Sequence, residues 1–383
     1  MKKVLLISNR VMHYRVSVYN YFARTFPQHG WELVVRSDEL QKENPHPLEF
    51  DFREIDLTFR NCRDEIARID PKVVILFLHL KDPVLWPLIH WLPMKNIPLI
   101  YWTKGANLDK ADSRLRHILF NYVHSRCDRL ILYSPHEVKY LTRANRSKVY
   151  VANNTINFDD FPAVRDSREA IKREFKIPFD KVVLSVGRMD VGGQRKKVDH
   201  LIEVFRRISV PGAGLVIVGA GVSRELQERM NRENTIYLGE IYDERNIQIS
   251  RIFRMADLFC IPGHVGLGLV QAFHFGLPVV TEKGLQPPEI HYLRDGWNGY
   301  EVPENDIDAL QDRIEQLLNN DELRHTFSLN AKQEIEENGS IQNMFLGFKN
   351  CIESLVPAAA AAAGQEVAAS CMAGSGRPRS DIP

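Results

Sequence analysis

A glycine and two basic residues stand close together near the middle of the chain. Gly187 and Arg188 directly follow the apolar run Val182–Val186, and Lys196 precedes an amphipathic run that begins at Val198. Strand-to-helix loops at the carboxyl edge of a parallel sheet are where ligands bind, and converging Arg and Lys side chains neutralise a pyrophosphate. Composition alone favours a solvated basic loop. The position after a strand is therefore what predicts a phosphate site.

A glycine-rich loop follows another apolar run. Residues Pro262–Gly268 read P-G-H-V-G-L-G and lead into a helical pattern that contains Gln271. Glycines let a backbone approach a ligand closely, and the start of the next helix offers free N–H groups to a phosphate. The spelling differs from the dinucleotide fingerprint. A tight structural turn explains this loop, taken by itself, equally well.

Two other motifs favour a structural explanation. The glycine turn Val216–Gly221 follows a buried strand and is sufficiently explained as a turn. Asp306-Ile307-Asp308 has the D-x-D spelling of a divalent-cation motif, but it opens a helical pattern. N-capping accounts for it better, and no metal site is predicted.

Short apolar runs separated by amphipathic ones must position these residues. In the first half they are Val4–Ser8, Leu33–Arg36, Val73–Leu78, Leu99–Trp102, Arg129–Tyr133 and Val149–Val151. In the second half they are Val182–Val186, Leu215–Val218, Thr235–Leu238, Leu258–Ile261 and Pro278–Thr281. Continuous apolar character is typical of strands buried on both faces of a parallel sheet. The fold class predicted is α/β, with two Rossmann-like doubly wound domains facing a cleft and helices at the C-terminal end.

The helical patterns and a polar stretch set the domain bounds. Helices are predicted at Val16–Thr25, Ser113–Ser125, Pro135–Arg143, Val198–Ile208, Arg224–Arg232, Ile247–Met255, Gly268–Phe275, Ile307–Asn319, Asp321–Glu337 and Ile341–Leu355. The expected organisation is a first domain over 1–160, a linker over 161–180 and a second domain over 181–340. A last helix at 341–356 is expected to cross back to the first domain. Residues 357–383, with alanines at Ala358–Ala363, are interpreted as a disordered or tag-like tail.

Composition and charge limit the classes of partner and the cellular location that are expected for this chain. Fifty basic and forty-nine acidic residues give a net charge of +1, which offers no field for nucleic acid. Five widely spaced cysteines suggest neither a disulfide framework nor a zinc site, so a cytoplasmic location is expected. No run reaches the length of a membrane span, and Trp86 and Trp91 permit peripheral contact with a membrane. The oligomeric state is left open.

The order of the motifs resembles glycosyltransferase family 4 of the GT-B fold, over Val4 to Leu355. The matching segments are Asn154–Asn157, Val186–Arg188, Lys196–Asp199, Val218–Gly221, Ala256–Phe259, Pro262-Gly263, Ala272–Val280, Pro288–Ile290 and Asp295–Gly299. The resemblance implies transfer of a hexose-type sugar from a nucleotide sugar, with retention of configuration and without a metal or other cofactor. It favours uridine diphosphate as the nucleotide and bacterial surface polysaccharide, such as lipopolysaccharide, or glycoconjugate synthesis as the setting.

The resemblance also implies roles for individual residues of the second domain. Arg188 and Lys196 would bind the donor diphosphate and stabilise the charge on the departing nucleotide. The implied donor-binding set is Gly187, Arg188, Lys196, Gly219, Gly263, Val265, Gly266, Leu267, Gly268, Leu269, Gln271 and Glu289.

In the first domain, Lys104 stands where the family often has His-Gly, so it is a third catalytic candidate, although a surface-loop lysine is equally plausible. The residues expected to bind a saccharide or lipid-linked acceptor are His13, Tyr14, Arg15, Lys104 and Asn107. For His13 a satisfied loop residue is an equal alternative.

One departure from the family pattern supports an alternative function. A pair of glutamates characteristic of the family would fall at Gly263 and Gln271, so both carboxylates are missing. The alternative is a nucleotide-sugar-binding protein with impaired catalysis. A Rossmann dehydrogenase is a poor alternative, because Ser8–His13 contains no glycine after the first strand.

Overall fold

The computed structural model describes residues 1–41, 44, 46–106, 114–189, 195–230, 234–241, 243 and 246–356. Within these ranges the chain forms two parallel sheets, one of seven strands and one of six, each flanked by helices. The predicted α/β class with two doubly wound domains is confirmed. The expected tail at 357–383 lies outside the described residues.

The first sheet is centred on the first strand of the chain. Its strands are β1 (Lys2–Ser8), β2 (Trp31–Ser37), β3 (Asp51–Glu54), β4 (Val73–Phe77), β5 (Leu99–Thr103), β6 (Arg129–Leu132) and β7 (Val149–Val151). They pair in the order β3-β2-β1-β4-β5-β6-β7, and each of these pairs is parallel. The strand order reverses between β1 and β4. A ligand crevice is expected beyond the carboxyl ends of these two strands.

The second sheet repeats this arrangement. Its strands are β8 (Lys181–Val186), β9 (Ala213–Val218), β10 (Thr235–Tyr237), β11 (Leu258–Cys260), β12 (Val279–Glu282) and β13 (Gly299–Val302). The order is β10-β9-β8-β11-β12-β13. The reversal lies between β8 and β11, the strands that precede the Arg188 loop and the glycine-rich loop. The topology therefore brings the two loops to one edge.

Helices cover both faces of each sheet. Those of the first domain are α1 (His13–Thr25), α2 (Phe59–Ile69), α3 (Leu85–Met94), α4 (Arg114–Arg126) and α5 (Arg143–Arg146). Those that follow are α6 (Arg168–Glu174), α7 (Val198–Arg207), α8 (Arg224–Met230), α9 (Ile247–Met255), α10 (Leu267–His274), α11 (Ile307–Asn319), α12 (Asp321–Asn338) and α13 (Ile341–Glu353). Asp306 caps α11, where its carboxylate accepts the amide of Ala309 at 2.9 Å. The structural explanation of the D-x-D spelling is confirmed.

Helix α13 packs against the first domain rather than the second. Phe345 contacts Phe26 with ring centroids 4.9 Å apart, and Phe348 contacts Trp102 at the same separation. These side chains are buried in a core that also contains Val4 and the other inward residues of β1. The end of the described chain therefore ties the two domains together.

The segment expected to be a linker contributes to the second domain. It contains α6, whose Ile171 is fully buried in the second-domain core together with Phe179. Arg168 of this helix forms an ion pair with Asp257 beside β11. One apolar position per turn in a short charged helix gives a weak sequence pattern, which is why the segment reads as a linker.

Other elements differ from the sequence patterns for local reasons. The helix expected at Pro135–Arg143 is a 3-10 helix that spans only Pro135–Tyr140. It ends there because Leu141 is extended and buried, which separates it from α5. Helices α2 and α3 were not predicted, and α3 contains Pro87 and Pro93, which read as breaks. Strand β3 was also missed because it is a largely exposed edge strand without an apolar run.

Candidate functional site

The loop after β8 and the glycine-rich loop form one structure at the centre of the second sheet. The Lys196 ammonium donates to the carbonyl of His264 and, at 3.4 Å, to that of Val265. A Cβ placed on Gly187 would lie 3.6 Å from the same nitrogen. The cation is thus held between the two loops, next to the turn that carries the exposed Arg188.

Backbone hydrogen bonds join these loops directly. The amide of Gly263 donates to Lys196 at 3.1 Å, and that of His264 donates to Arg195 at 2.9 Å. A Cβ on Gly263 would lie 2.2 Å from the carbonyl oxygen of Arg195. Because that neighbour is backbone, no side chain fits at Gly263 without movement of the loop. The missing carboxylate at this position is a consequence of how the loops pack.

Gln286 clamps the glycine-rich loop from the other side, a role the sequence patterns did not reveal. Its amide nitrogen donates to the carbonyls of Gly263 at 2.9 Å and Glu282 at 2.8 Å, and its oxygen accepts the amide of Val265 at 3.1 Å. Both ends of the side chain are therefore used inside the loop. No local motif marks this glutamine.

Helix α10 begins at Gly266 with a backbone that favours glycine. Gly266 has φ 63° and ψ −154°, a region closed to side chains. The amides of Leu267 and Gly268 begin the helix, where N–H groups have no intrahelical acceptor and form the positive end of the helix dipole. A Cβ on Gly268 would lie 3.0 Å from the Phe259 ring, so this glycine also allows α10 to pack on the sheet.

Two predicted donor residues are directed inward in this conformation. Val265 and Leu269 are buried in the second-domain core. The Val265 amide donates to Gln286, and the Leu269 amide donates to the Gly266 carbonyl at 3.1 Å. Neither residue offers an unused amide to a ligand here. Contact with the donor was predicted for both residues from the family resemblance, which does not show which amides of the loop are already bonded.

A cleft of about 240 Å³ lies between the domains. Of the predicted residues, Gly187, Arg188, Gly219, Gln271, His13 and Tyr14 line it. It brings the Arg188 loop of the second domain opposite the start of α1 in the first. This is the geometry required for a donor held by one domain to meet an acceptor held by the other.

Gly219 is at the cleft for a packing reason. A Cβ there would lie 1.8 Å from the carbonyl oxygen of Gly187, and its φ is 141°. The Gly187 amide in turn donates to Val218 at 3.0 Å. The structural explanation of this turn therefore holds. Gly219 affects the cleft only indirectly, because it leaves room for the Gly187 loop to lie where it does.

Arg15 does not face the cleft, which corrects its assignment as an acceptor-binding residue. It is buried, donates from Nη2 to Asn154 at 2.8 Å, and lies 4.6 Å from the centroid of the Trp102 ring and 5.6 Å from that of Tyr133. Among the described residues its Nε and Nη1 have no hydrogen-bond acceptor. The third position of α1 points towards the sheet, so the guanidinium stacks on aromatic rings instead of meeting solvent.

Glu289 is also removed from the cleft lining. It is buried, and its carboxylate accepts a hydrogen bond from the side-chain amide of Asn154. The chain Arg15, Asn154, Glu289 therefore connects the two domains through buried polar groups. A structural role accounts for all the contacts seen at Glu289.

The remaining predicted residues of the first domain are placed differently. Lys104 is exposed just beyond β5, at the carboxyl edge of the sheet, and does not line the cleft. Asn107 lies outside the described residues. His13 lines the cleft while its Nδ1 lies 3.0 Å from the Gln41 Oε1 atom.

A buried carboxylate braces the loop that holds Lys196. Glu282, at the end of β12, contacts His200 Nδ1 at 2.5 Å, Lys197 Nζ at 2.9 Å and the amide of Asn305 at 2.9 Å. Burial opposes its ionisation, but the hydrogen bonds from His200, Lys197 and Asn305 outweigh burial and lower the pKa of Glu282. This ion cluster fixes the residue next to Lys196 and the start of α7.

Several cleft residues were missed at the sequence level. Glu240, Asp243 and Asn246 line the cleft beyond β10, and Asp243 caps α9 by accepting the amide of Gln248 at 3.1 Å. The strand before them was predicted. Applying the strand-end rule to its loop, as was done for the Arg188 loop, would have found them.

Comparisons with known proteins relate this chain to glycosyltransferases. Residues 167–334 match the sequence family described as Glycosyl transferases group 1. The match lies almost entirely within the second domain. The matched range includes both loops, Gln286 and Glu289.

Two curated relatives and one solved structure extend the comparison. An uncharacterized glycosyltransferase of Haemophilus influenzae is 25% identical over 237 residues, 60% of this chain and 62% of that protein. Phosphatidyl-myo-inositol mannosyltransferase of Mycobacterium leprae is 32% identical over 155 residues, 38% of this chain and 40% of that protein. The chain thus spans less than two thirds of either relative's length.

The crystal structure of Anabaena HepE in complex with UDP superposes with a TM-score of 0.73 at 13% identity, and the match covers 92% of this chain and 100% of that one. This likeness shows that the part of the chain it covers has the GT-B fold. None of the helices within the described ranges is long and apolar enough to cross a bilayer.

Proposed function

We propose that this protein is a retaining, metal-independent glycosyltransferase that moves a hexose-type sugar from a nucleotide sugar to an acceptor hydroxyl. The observation that carries the proposal is the position of the Lys196 ammonium at the reversal point of the second sheet. It lies 3.6 Å from a Cβ placed on Gly187, next to Arg188, and 3.9 Å from one placed on Gly266, where α10 begins. These groups together suit a diphosphate. The family match over residues 167–334 supports the same site.

In the proposed mechanism the charge that develops on the leaving nucleotide falls on fixed cations. Arg188 and Lys196 stabilise the diphosphate as the sugar bond breaks, and preorganised charge of this kind contributes most to such reactions. Lys196 exchanges its carbonyl partners for phosphate oxygens when the donor binds. Closure of the domains excludes water while the acceptor hydroxyl attacks the same face of the sugar.

The chemical classes of the donor and of the acceptor are proposed from the comparisons with known proteins. UDP is the proposed nucleotide, since HepE, which shares the fold, was solved with UDP. A saccharide or a lipid-linked acceptor is proposed, and the name of the mycobacterial relative includes a lipid, phosphatidyl-myo-inositol. His13 and Tyr14, on the first-domain side of the cleft, are the proposed acceptor contacts. We place the reaction at the cytoplasmic face of the cell membrane, in surface polysaccharide or glycoconjugate synthesis.

A thermal-shift screen tests the donor site. The purified protein is heated with UDP-, GDP- and ADP-sugars and with the free nucleotides, in the presence and absence of a chelator. A ligand that binds only the folded state raises the melting temperature, so we expect a chelator-insensitive shift with UDP and its sugars. No shift with any nucleotide contradicts the donor site, and a shift that depends on added metal contradicts the metal-independent mechanism.

The second candidate is a nucleotide-sugar-binding protein with impaired catalysis. Gly263 favours it, because the Arg195 carbonyl fills the space that a carboxylate side chain would need. Both candidates predict the same thermal shift. Release of free nucleotide from the stabilising nucleotide sugar, measured with and without a pool of saccharide and lipid acceptors, separates them: the transferase releases nucleotide faster with the correct acceptor, and the impaired protein does not.

A further inference from the structure

Helix α4 turns an apolar face to the outside of the first domain. The side chains of Leu115, Ile118 and Tyr122 are 66%, 64% and 43% exposed. Their spacing places them on one side of the helix, while Val123 and His124 on the other side are buried. Three large exposed apolar side chains are unusual on a surface helix, whose outward side is ordinarily polar.

The apolar face continues onto α3. The hydroxyl of Tyr122 lies 3.0 Å from His90 Nε2. One turn further along α3, Met94 is 78% exposed. We refer to Leu115, Ile118, Tyr122 and Met94 as the α4 stripe.

The two tryptophans nearby are mainly packed inward. Trp86 donates its indole N–H to Leu80 at 3.2 Å, and Trp91 contacts the Phe59 ring with centroids 5.9 Å apart. Both lie against the core between the sheet and its helices. The exposed apolar residues of this region are therefore those of the α4 stripe, and not the two tryptophans that the sequence analysis named as possible membrane contacts.

The chain around the stripe is strongly basic. Residues 114–148 contain eight Lys and Arg but only two acidic residues, whereas the whole chain has a net charge of +1. Of the acids, Asp128 accepts the Leu99 amide at 2.8 Å, and burial raises the pKa of Glu137 to about 8. Arg114 and Arg126 are exposed at the two ends of α4. Positive charge thus flanks the stripe.

Basic residues also come from the element beside α4. Helix α5 lies against it, with the Asn145 side chain donating to the Asn121 carbonyl at 3.5 Å. Arg143 of α5 is exposed. Lys148 Nζ caps the C-terminal end of α4 through the carbonyls of Ser125 at 3.0 Å and Cys127 at 2.9 Å.

We propose that the α4 stripe docks the first domain onto a bilayer that contains anionic phospholipids. The apolar side chains enter the boundary between headgroups and acyl chains, and the flanking arginines meet lipid phosphates. A second copy of the chain is a poorer occupant, because a two-fold interface would place the same basic surface against itself. Helix α4 follows β5, so docking holds the carboxyl edge of the first sheet close to the membrane.

Vesicle sedimentation of the full-length protein tests this surface. The probes are vesicles of phosphatidylcholine alone and of phosphatidylcholine mixed with phosphatidylglycerol, at low and high salt. The variant is Leu115→Ser/Ile118→Ser. The matched control is Leu329→Ser/Leu346→Ser, which alters leucines 55% and 46% exposed on α12 and α13. We expect salt-sensitive binding to the anionic vesicles, about tenfold weaker in the stripe variant and unchanged in the control.

Three outcomes overturn the proposal. They are failure of the wild type to bind anionic vesicles, equal binding to both vesicle types, and unchanged binding of the stripe variant. Sedimentation equilibrium tests whether a second copy of the chain binds this surface instead. A wild type that is a dimer and a stripe variant that is a monomer would assign the surface to self-association and would also overturn the proposal. The UDP thermal shift is measured on every variant. Because no stripe residue lines the cleft, loss of vesicle binding with an intact shift separates this surface from the donor site.

Discussion

Arg188, just after the first strand of the second sheet, and Arg15, on the helix that follows the first strand of the first sheet, have opposite environments. After β8, Arg188 is exposed at the cleft and the Lys196 ammonium is held between two loops by backbone carbonyls. After β1, Arg15 is buried against Trp102 and bonded to Asn154. A basic residue at a strand end therefore does not by itself indicate a ligand. The side on which its helix turn places it decides whether the cation is available.

Buried carboxylates show the same contrast. Glu282 of the second domain is surrounded by His200, Lys197 and an amide, and its pKa is lowered. Burial of Glu137 in the first domain outweighs the hydrogen bonds from the amides of Ser134 and Tyr133, and raises its pKa to about 8. The edge of the second sheet thus holds an ionised carboxylate within an ion cluster, whereas the edge of the first sheet holds a carboxyl group that burial keeps protonated near neutral pH.

The largest expected effect is at Lys196. Lys196→Ala should lower kcat/KM for transfer about 100- to 1000-fold, equivalent to about 2.7–4 kcal/mol, because a fixed cation beside the leaving diphosphate is lost. Steady-state kinetics with the nucleotide sugar found by thermal shift measure this. Arg206→Ala, which removes an exposed cation on α7, serves as the control. Equal rates in both variants would place the diphosphate elsewhere.

A smaller effect, on stability rather than on catalysis, is expected at Arg15. Arg15→Ala should lower the free energy of unfolding by about 3 kcal/mol, because it leaves a cavity among the rings and an unpaired Asn154 oxygen. Arg15→Met should lose less, since it refills the space without a buried charge. Denaturant unfolding measures both. Arg188→Ala is the matching variant in the second domain, and it should weaken nucleotide binding without changing stability. If Arg15→Ala instead had normal stability and a raised KM for the acceptor, Arg15 would be an acceptor-binding residue and the contrast with Arg188 would be wrong.

The smallest effect concerns pH and Glu137. In the unfolded chain this carboxyl titrates near 4.5, and in the folded protein at about 8. Between these values the unfolded chain has lost a proton that the folded chain keeps, so stability falls as pH rises through the window. Glu137→Gln cannot ionise. From about pH 6 to about pH 8 its stability should rise relative to wild type by about 2 kcal/mol.

Melting curves of the two proteins at matched pH measure this difference. The histidines at 124, 274 and 291, whose pKa values burial lowers to about 4, are common to both and cancel. A constant gap between the curves would mean that Glu137 is ionised in the folded state, and the contrast between Glu137 and Glu282 would then be lost.

Much of the fold was predictable because buried parallel strands leave a direct trace in the chain. The predicted run Val182–Val186 corresponds to β8 at Lys181–Val186, and the predicted helix Ile247–Met255 is observed at those residues. Elements without an apolar run were not predictable, as β3 shows. The two main loops of the site were found from their position after strands. Gln286 was not, because nothing local distinguishes a clamping glutamine from any other.

The sequence by itself determined the two-sheet architecture, the positions of the glycines and the two loops that meet at one edge of the second sheet. These features depend on local periodicity and on topology rules that hold for parallel sheets generally. Only the tertiary structure decided which polar residues are available: Arg188 is exposed at the cleft, while Arg15 and Glu289 are bonded through Asn154. The physical reason is that burial and hydrogen-bond partners come from segments far apart in the chain, and no local pattern records them.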